Sequence, residues 1–374
     1  MIARLLENVI RDKLSMRKVI LLYGARQVGK SSLLQTLFGQ QTDVLWLNGD
    51  ESETQLLFEN LTVAKVKTLL GKKRNLVIDE AQNILNIGQK LKLIHDNMAD
   101  VKVVATGSSS FDLANKINEP LTGRKLEYWL YPLSFAEMVN HHGYLDESKM
   151  LTHRLVYGSY PEIVCDMEHE RELLGNLASS YLYKDILMWE NLKKSERILK
   201  LLQAIAFQIG SQVSYTELGR MCGLDNKTVE KYIALLEQAF ILFRLPSFSR
   251  NLRSELKFSR KIYFYDNGIR NALISNFNDV DLRNDVGALW ENYLISERVK
   301  KLQYEGSYAK SYFWRTKEQT EIDYVEEQDG QLMAFEFKWN EKKSNQQMPD
   351  SFARAYPNVA YKVITPQNVE DFLL

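Results

Sequence analysis

Apolar residues cluster in short runs at 19–23, 44–47, 76–78 and 101–105, and between these runs they recur at helical spacing. Continuously apolar short runs separated by amphipathic helices predict a parallel sheet with helices on its faces, an α/β core. From 133 to 202 the spacing stays helical, broken at Tyr160-Pro161, which predicts a lid or connector. Between 195 and 244 two or three helices meet at a tight turn at Gly223. Strand patterns return at 262–265, 312–315, 321–327 and 331–339. No internal repeat or low-complexity stretch interrupts this order, so the chain reads as four consecutive units of different character.

The first run leads directly into Gly24-Ala25-Arg26-Gln27-Val28-Gly29-Lys30-Ser31-Ser32, which satisfies G-x-x-x-x-G-K-[ST] between a strand and a helix. Glycines let backbone N–H groups wrap phosphate oxygens, and a helix opening at Lys30 adds the positive end of its dipole. Residues 24–32 are therefore expected to cradle ATP. Lys30 would reach its β- and γ-phosphates, and Ser31 would offer its hydroxyl to Mg2+.

A metal site of this kind needs a carboxylate from a second element, and Asn75-Leu-Val-Ile-Asp79-Glu80 supplies a buried strand ending in two. Asp79 is expected on the Mg2+ and Glu80, one residue further, to orient or deprotonate the attacking water. Two surface acids after a core strand are the plainer alternative. The run at 101–105 continues through Thr106 into Gly107-Ser108-Ser109-Ser110. Ser108 is a candidate sensor of the γ-phosphate there, and a helix cap is the competing reading. Arg124, in Leu121-Thr-Gly-Arg, is a candidate γ-phosphate arginine acting within its own chain or on a neighbour in a homo-oligomer, against the reading of a surface arginine.

Charge and cysteine content narrow the setting. Lysine plus arginine number 48 and so do aspartate plus glutamate, so no global field draws the chain to nucleic acid or to a membrane. Cys165 and Cys222 lack metal-ligand spacing and the five histidines add no zinc pattern. The N-terminal residues lack the apolar core of a secretory signal, and no apolar run is long enough to cross a bilayer. A cytoplasmic protein with no membrane partner is expected.

With these residues in place the chain resembles a bacterial and archaeal family of AAA-type P-loop ATPases that carry a restriction-endonuclease-like C-terminal domain. The likeness covers nearly the whole chain. It rests on the motifs at 24–31, 78–82 (Ile-Asp-Glu-Ala-Gln), 106–110 and 121–124. Further matches are Tyr-Pro-Leu-Ser-Phe-Ala-Glu at 131–137, Gly-Ser-Tyr-Pro-Glu at 158–162, Lys-Ile-Tyr-Phe-Tyr-Asp-Asn-Gly at 261–268 and Glu-Asn-Tyr-Leu at 291–294. The resemblance implies binding and hydrolysis of ATP.

Ser214-Tyr-Thr-Glu217 fits a capping box and predicts a helix to Cys222, a turn at Gly223, and a second helix from about Asp225 with Val229, Ile233, Leu236 and Phe240 on its buried stripe. That layout resembles the winged helix-turn-helix of the same family. In DNA-binding members the positions of Asn226, Lys227, Glu230 and Lys231 enter the major groove. From 244 to 261 the residues Arg244, Arg250, Arg253, Lys257, Arg260 and Lys261 face only Glu255, a local excess suited to phosphates. Winged helices also serve as protein contacts, which keeps a protein partner open.

Asp329-Gly330 is a two-residue hairpin signal, and counting back from it sets Asp323 opposite Glu336 and Glu321 opposite Lys338 on one face, with Ile322, Tyr324, Phe335, Phe337 and Trp339 on the other. Opposed carboxylates repel unless a cation or proton joins them. The arrangement matches a metal-dependent nuclease of the PD-(D/E)xK type, with Asp323 and Glu336 on a divalent ion and Lys338 beside the water. Glu291 resembles the additional acid of that fold. The bland reading is an exposed hairpin face with Glu321 and Lys338 as a cross-strand pair.

The expected organisation is a P-loop AAA-type ATPase domain over 1–134, a helical lid over 135–195, a winged helix-turn-helix over 196–258 and a nuclease-like α/β domain over 259–374. The expected function is Mg2+-dependent ATP hydrolysis coupled to DNA binding. The alternative is a nucleotide-gated switch that holds a protein partner and cleaves no DNA.

Overall fold

The computed structural model describes residues 2–107, 120–181, 195–249, 260–316, 318–340 and 347–374. Ser108 and its neighbouring serines lie outside the described residues, as do Arg250, Arg253, Glu255 and Lys257. The chain forms two compact units, Met1–Pro132 with Gln238–Phe240, and Leu133–Glu237 with Ile241–Leu374.

In the first unit β1 (Val19–Gly24), β2 (Val44–Asn48), β3 (Asn75–Asp79), β4 (Lys102–Gly107) and β5 (Lys125–Leu130) form one sheet in the order β2-β3-β4-β1-β5. Every pairing is parallel. β1 is buried at all six positions, as its unbroken apolar run requires. β5 escaped the sequence pattern because it is an edge strand of mixed polarity, buried fully only at Leu130. Parallel strands bring their carboxyl ends to one edge, so Gly24, Asp79 and Gly107 converge there, with β4 inserted between the P-loop strand and the Asp79 strand.

The second unit holds two sheets. β6 (Gln212–Val213), β7 (Leu242–Pro246) and β8 (Arg260–Phe264) are antiparallel in the order β6-β8-β7. The boundary expected after 258 therefore falls just ahead of the central strand of this sheet, since a two-residue β6 and β7 need β8 between them to complete their ladders. Ser214 caps helix Tyr215–Cys222 by accepting from the Glu217 N–H at 3.4 Å, and Gly223 ends it at φ 65°. Val229, Ile233 and Leu236 are buried on helix Asn226–Gln238, whereas Phe240 lies past its end at φ 59°.

β9 (Lys310–Arg315), β10 (Glu321–Gln328), β11 (Gln331–Phe337) and β12 (Ala360–Ile364) form the other sheet, in the order β12-β11-β10-β9. Asp329 at φ 52° and Gly330 at φ 78° make the turn, and the register from Gln328 opposite Gln331 to Tyr324 opposite Phe335 is the one counted from it. A register shift against β9 between Ile322 and Val325 changes the faces, however. Tyr324, Phe335 and Phe337 enter one core cluster, while Ile322 joins Val325, Ala334 and Phe352 in another. The expectation that Ile322 shares a face with Tyr324 is thereby corrected.

Several of the motifs are structural. Ser134 and Glu137 form a complete capping box at helix Phe135–His142. Asp266 caps helix Asn267–Leu273 and also accepts from the Ser159 N–H at 2.7 Å. A Cβ on Gly158 would lie 2.1 Å from the Asp266 carboxylate, so the motifs at 158–162 and 261–268 interlock only with glycine there. The fully buried Asn292 amide accepts from the Phe264 N–H at 2.7 Å and donates to the Phe264 carbonyl at 3.1 Å, pinning β8 to helix Val286–Tyr304. Among the described residues no helix is long and apolar enough to cross a membrane.

Candidate functional site

The loop after β1 closes on Gly29, which sits at φ 94° at the head of helix Lys30–Phe38. Gln27 is also left-handed, at φ 58°. Curls of this kind turn backbone N–H groups to one concave side, where an anion also meets the helix dipole. Ala25 and Val28 are fully buried and anchor the loop, while Ser31 and Ser32 are exposed. Arg4, which precedes the first helix, donates to the Val28 carbonyl at 2.6 Å and to the Tyr131 carbonyl at 2.7 Å, bracing the loop from behind. The Lys30 ammonium is nearly buried and donates to the carbonyls of Gly24 at 2.9 Å and Ala25 at 2.8 Å.

The Ser31 hydroxyl donates to Asp79 Oδ2 at 2.6 Å. The other oxygen, Oδ1, accepts from Thr106 Oγ1 and, at 3.2 Å, from the Glu80 N–H. Thr106, fully buried at the end of β4, also accepts from the Glu80 N–H at 3.1 Å. A hydroxyl and a carboxylate oxygen held face to face fit Mg2+, which prefers hard oxygen donors and completes its shell with water and phosphate. When bound there, the ion would neutralise charge on the triphosphate.

Glu80 is left-handed at φ 49°, and its Oε2 accepts from Gln82 Nε2 at 2.6 Å. The Gly49 N–H donates to the Asp79 carbonyl at 2.8 Å, and a Cβ on Gly49 would lie 2.2 Å from the Glu80 carbonyl oxygen. Sequence reasoning placed Asp79 and Glu80 but missed Thr106, Gly49 and Arg4. Thr106 was legible in the Thr-Gly-Ser-Ser-Ser motif, since it is the last side chain of an apolar run before the strand's carboxyl end.

Arg124 is elsewhere. Its carbonyl accepts from the N–H of Val19, the first residue of β1, so it lies at the opposite edge of the sheet from the P-loop. Five steps of strand put that edge roughly 17 Å away. Its guanidinium donates to Asp96 Oδ1 at 2.7 Å, and that bond, with help from His95, lowers the Asp96 carboxyl to about 2. The expected role as a γ-phosphate arginine within the same chain is corrected by this distance.

In the second unit Glu291, Glu321 and Asp323 bring carboxylate oxygens within 4.8 Å of one another. Glu321 is not among the expected acids, and Glu336, which is, stands near enough to Asp323 to act on its charge. The Lys261 ammonium, only 2% exposed, contacts Glu291 Oε1 at 2.8 Å and also pairs with Glu321 Oε1. Tyr263 OH donates to Glu291 Oε1 at 2.5 Å. Lys338 pairs with Glu336 at 2.6 Å along its own strand, not with Glu321, which takes Arg315 at 3.2 Å. Asp323 accepts from the Phe337 N–H at 2.8 Å, and its carboxyl is pushed well above the usual range by burial and by Glu291 and Glu336.

The basic stretch is also less free than its sequence suggests. Arg244 pairs with Glu237, Arg260 contacts Glu230 at 3.8 Å, and Lys261 is inside the acid cluster. Acids that lie outside the 244–261 stretch, and so outside a local charge count, meet each of its described basic residues.

Comparison with known proteins gives three matches along the chain. Residues 148–280 match a domain of unknown function (DUF8612), residues 286–371 another (DUF4143), and residues 16–139 an AAA domain. An uncharacterized protein of Haemophilus influenzae is 27% identical over 67% of this chain and 68% of its own length. Another, from Mycobacterium tuberculosis, is 24% identical over 88% of this chain and 72% of its own. The fold is similar to that of a Walker-type ATPase of Pyrococcus abyssi, with TM-score 0.51 and 16% identity over 72% of this chain and 94% of that one. The parallel sheet, the P-loop at the carboxyl end of β1 and the match over 16–139 to an AAA domain support a P-loop ATPase domain of the AAA type in the first unit.

Proposed function

We propose that the chain binds ATP with Mg2+ at residues 24–32 and hydrolyses it, with Ser31 and Asp79 on the ion, Lys30 on the phosphates and Glu80 on the attacking water. The observation that carries this reading is the Ser31–Asp79 contact at 2.6 Å, which joins the P-loop helix to the acid at the end of β3. The Lys30→Ala chain should lose ATP turnover by at least about 10²-fold, the scale seen when one charge-stabilising donor is removed. Unchanged release of phosphate from that variant would overturn the assignment.

A second reading couples this cycle to DNA through a winged helix-turn-helix, here residues 196–258 together with β8. Asn226, Lys227 and Lys231, at the start of helix Asn226–Gln238, are exposed, as groove-facing positions must be. The nuclease-like reading of 259–374 is supported by Asp323 and the Glu336-x-Lys338 pair, with no cleavage assigned to it. In a fluorescence titration, DNA affinity should fall with salt at a slope of about −0.9 per phosphate contacted, and Lys227→Ala with Lys231→Ala should flatten it. Absence of binding at low salt favours the nucleotide-gated switch with a protein partner. Assembly into a homo-oligomer in the cytoplasm fits either reading.

A further inference from the structure

The acids of the second unit sit where a divalent ion is expected, yet at least one oxygen of each already meets a donor of the chain itself. Lys261 lies in β8, the central strand of its sheet, paired with Gln212 on one side and Leu245 on the other. From there its ammonium reaches both Glu291 and Glu321, and it also stands 5.5 Å from the centre of the Phe313 ring. Glu291 is closed further by the Tyr263 hydroxyl and by Gly210, where even a Cβ would come within 3.3 Å of Oε2. The fourth acid, Glu336, is drawn off by Lys338 at 2.6 Å.

We infer that Lys261 is the resident cation of this acid cluster, and that the cluster consequently takes no divalent ion. A dication sharing Glu291 and Glu321 would stand beside an ammonium that already bonds one oxygen of each, and two like charges at such a distance repel strongly away from water. For the ion to enter, Lys261 would have to leave a place in which 2% of its side chain meets solvent, while its strand is held by ladders on both sides. The P-loop unit offers a contrast: there the lysine ammonium rests on backbone carbonyls, and Ser31 and Asp79 face each other. The cluster instead acts as a charged fastening between β8, helix Val286–Tyr304 and β10. It rests on no part of the ATPase reading.

The test is Mn2+ binding to the full, nucleotide-free chain, followed by electron paramagnetic resonance. The parent and Asp323→Asn should bind the same number of ions, whatever the P-loop contributes to both. Lys261→Met should gain one site, and adding Asp323→Asn should remove it again. An ion bound by the parent and lost in Asp323→Asn overturns the inference, as does a folded Lys261→Met chain that gains none. If Lys261→Met does not fold, the milder Lys261→Gln takes its place, and the parent against Asp323→Asn decides on its own. A failed ATPase assignment would leave all of these outcomes unchanged.

Discussion

The hydroxyl of Ser31 and the carboxylate of Asp79 meet at 2.6 Å, although β4 separates the strands that carry them to the sheet edge. In the proposed site both are oxygen donors to one Mg2+ ion, so they should fail in different ways. Asp79→Asn removes the charge that holds Mg2+ and should abolish turnover at all metal concentrations, whereas Ser31→Ala should raise the Mg2+ concentration needed for half-maximal turnover. Initial rates across a Mg2+ series check this, and identical curves for Ser31→Ala and the parent would contradict it.

Thr106 holds the other oxygen of Asp79 and also accepts from the Glu80 N–H, so it positions both acids at once. Thr106→Val keeps the shape and removes the hydroxyl. A hydrogen bond to a charged group contributes about 1.5–3 kcal/mol, which corresponds to about a 10- to 100-fold loss of kcat if it acts on the reacting geometry. KM for ATP should change much less. A merely structural threonine would instead lower the melting temperature and leave kcat per folded chain intact.

Arg124 pairs with Asp96 at the edge of the sheet remote from the P-loop. Arg124→Ala should therefore leave kcat of dilute protein within about two-fold of the parent, as expected for a group that makes no contact in the transition state. A loss that appears only as protein concentration rises would assign the arginine to a neighbouring copy.

How far the sequence discloses all this depends on whether the signal is local. The P-loop, Asp79 and the Asp329-Gly330 turn are set by neighbouring residues, and the structure has the strand ends and the register that these imply. The Lys261 pairings were illegible because Glu291 and Glu321 lie 30 and 60 positions away, and nothing in a buried strand announces which acid its lysine will meet. Arg124 misled for the opposite reason. Its motif was read by analogy, while its place before an unforeseen edge strand decided its distance from the phosphates.

Arg4 shows how a residue outside every motif can set the shape of one. Its guanidinium spans the Val28 and Tyr131 carbonyls at 2.6 and 2.7 Å, with 9% of the residue exposed. Arg4→Met keeps the length and apolar stem but gives up both bonds, leaving Val28 without the donor that fixes its carbonyl just ahead of Gly29. The loop would then have to be ordered by the nucleotide itself, and that cost falls on binding rather than on the chemical step. KM for ATP should rise by about tenfold while kcat holds within about threefold, and Mg-ATP at one fixed concentration should raise the melting temperature of Arg4→Met by less than it raises that of the parent. Steady-state kinetics and melting with and without Mg-ATP separate this from a global loss of fold, in which added nucleotide would recover nothing.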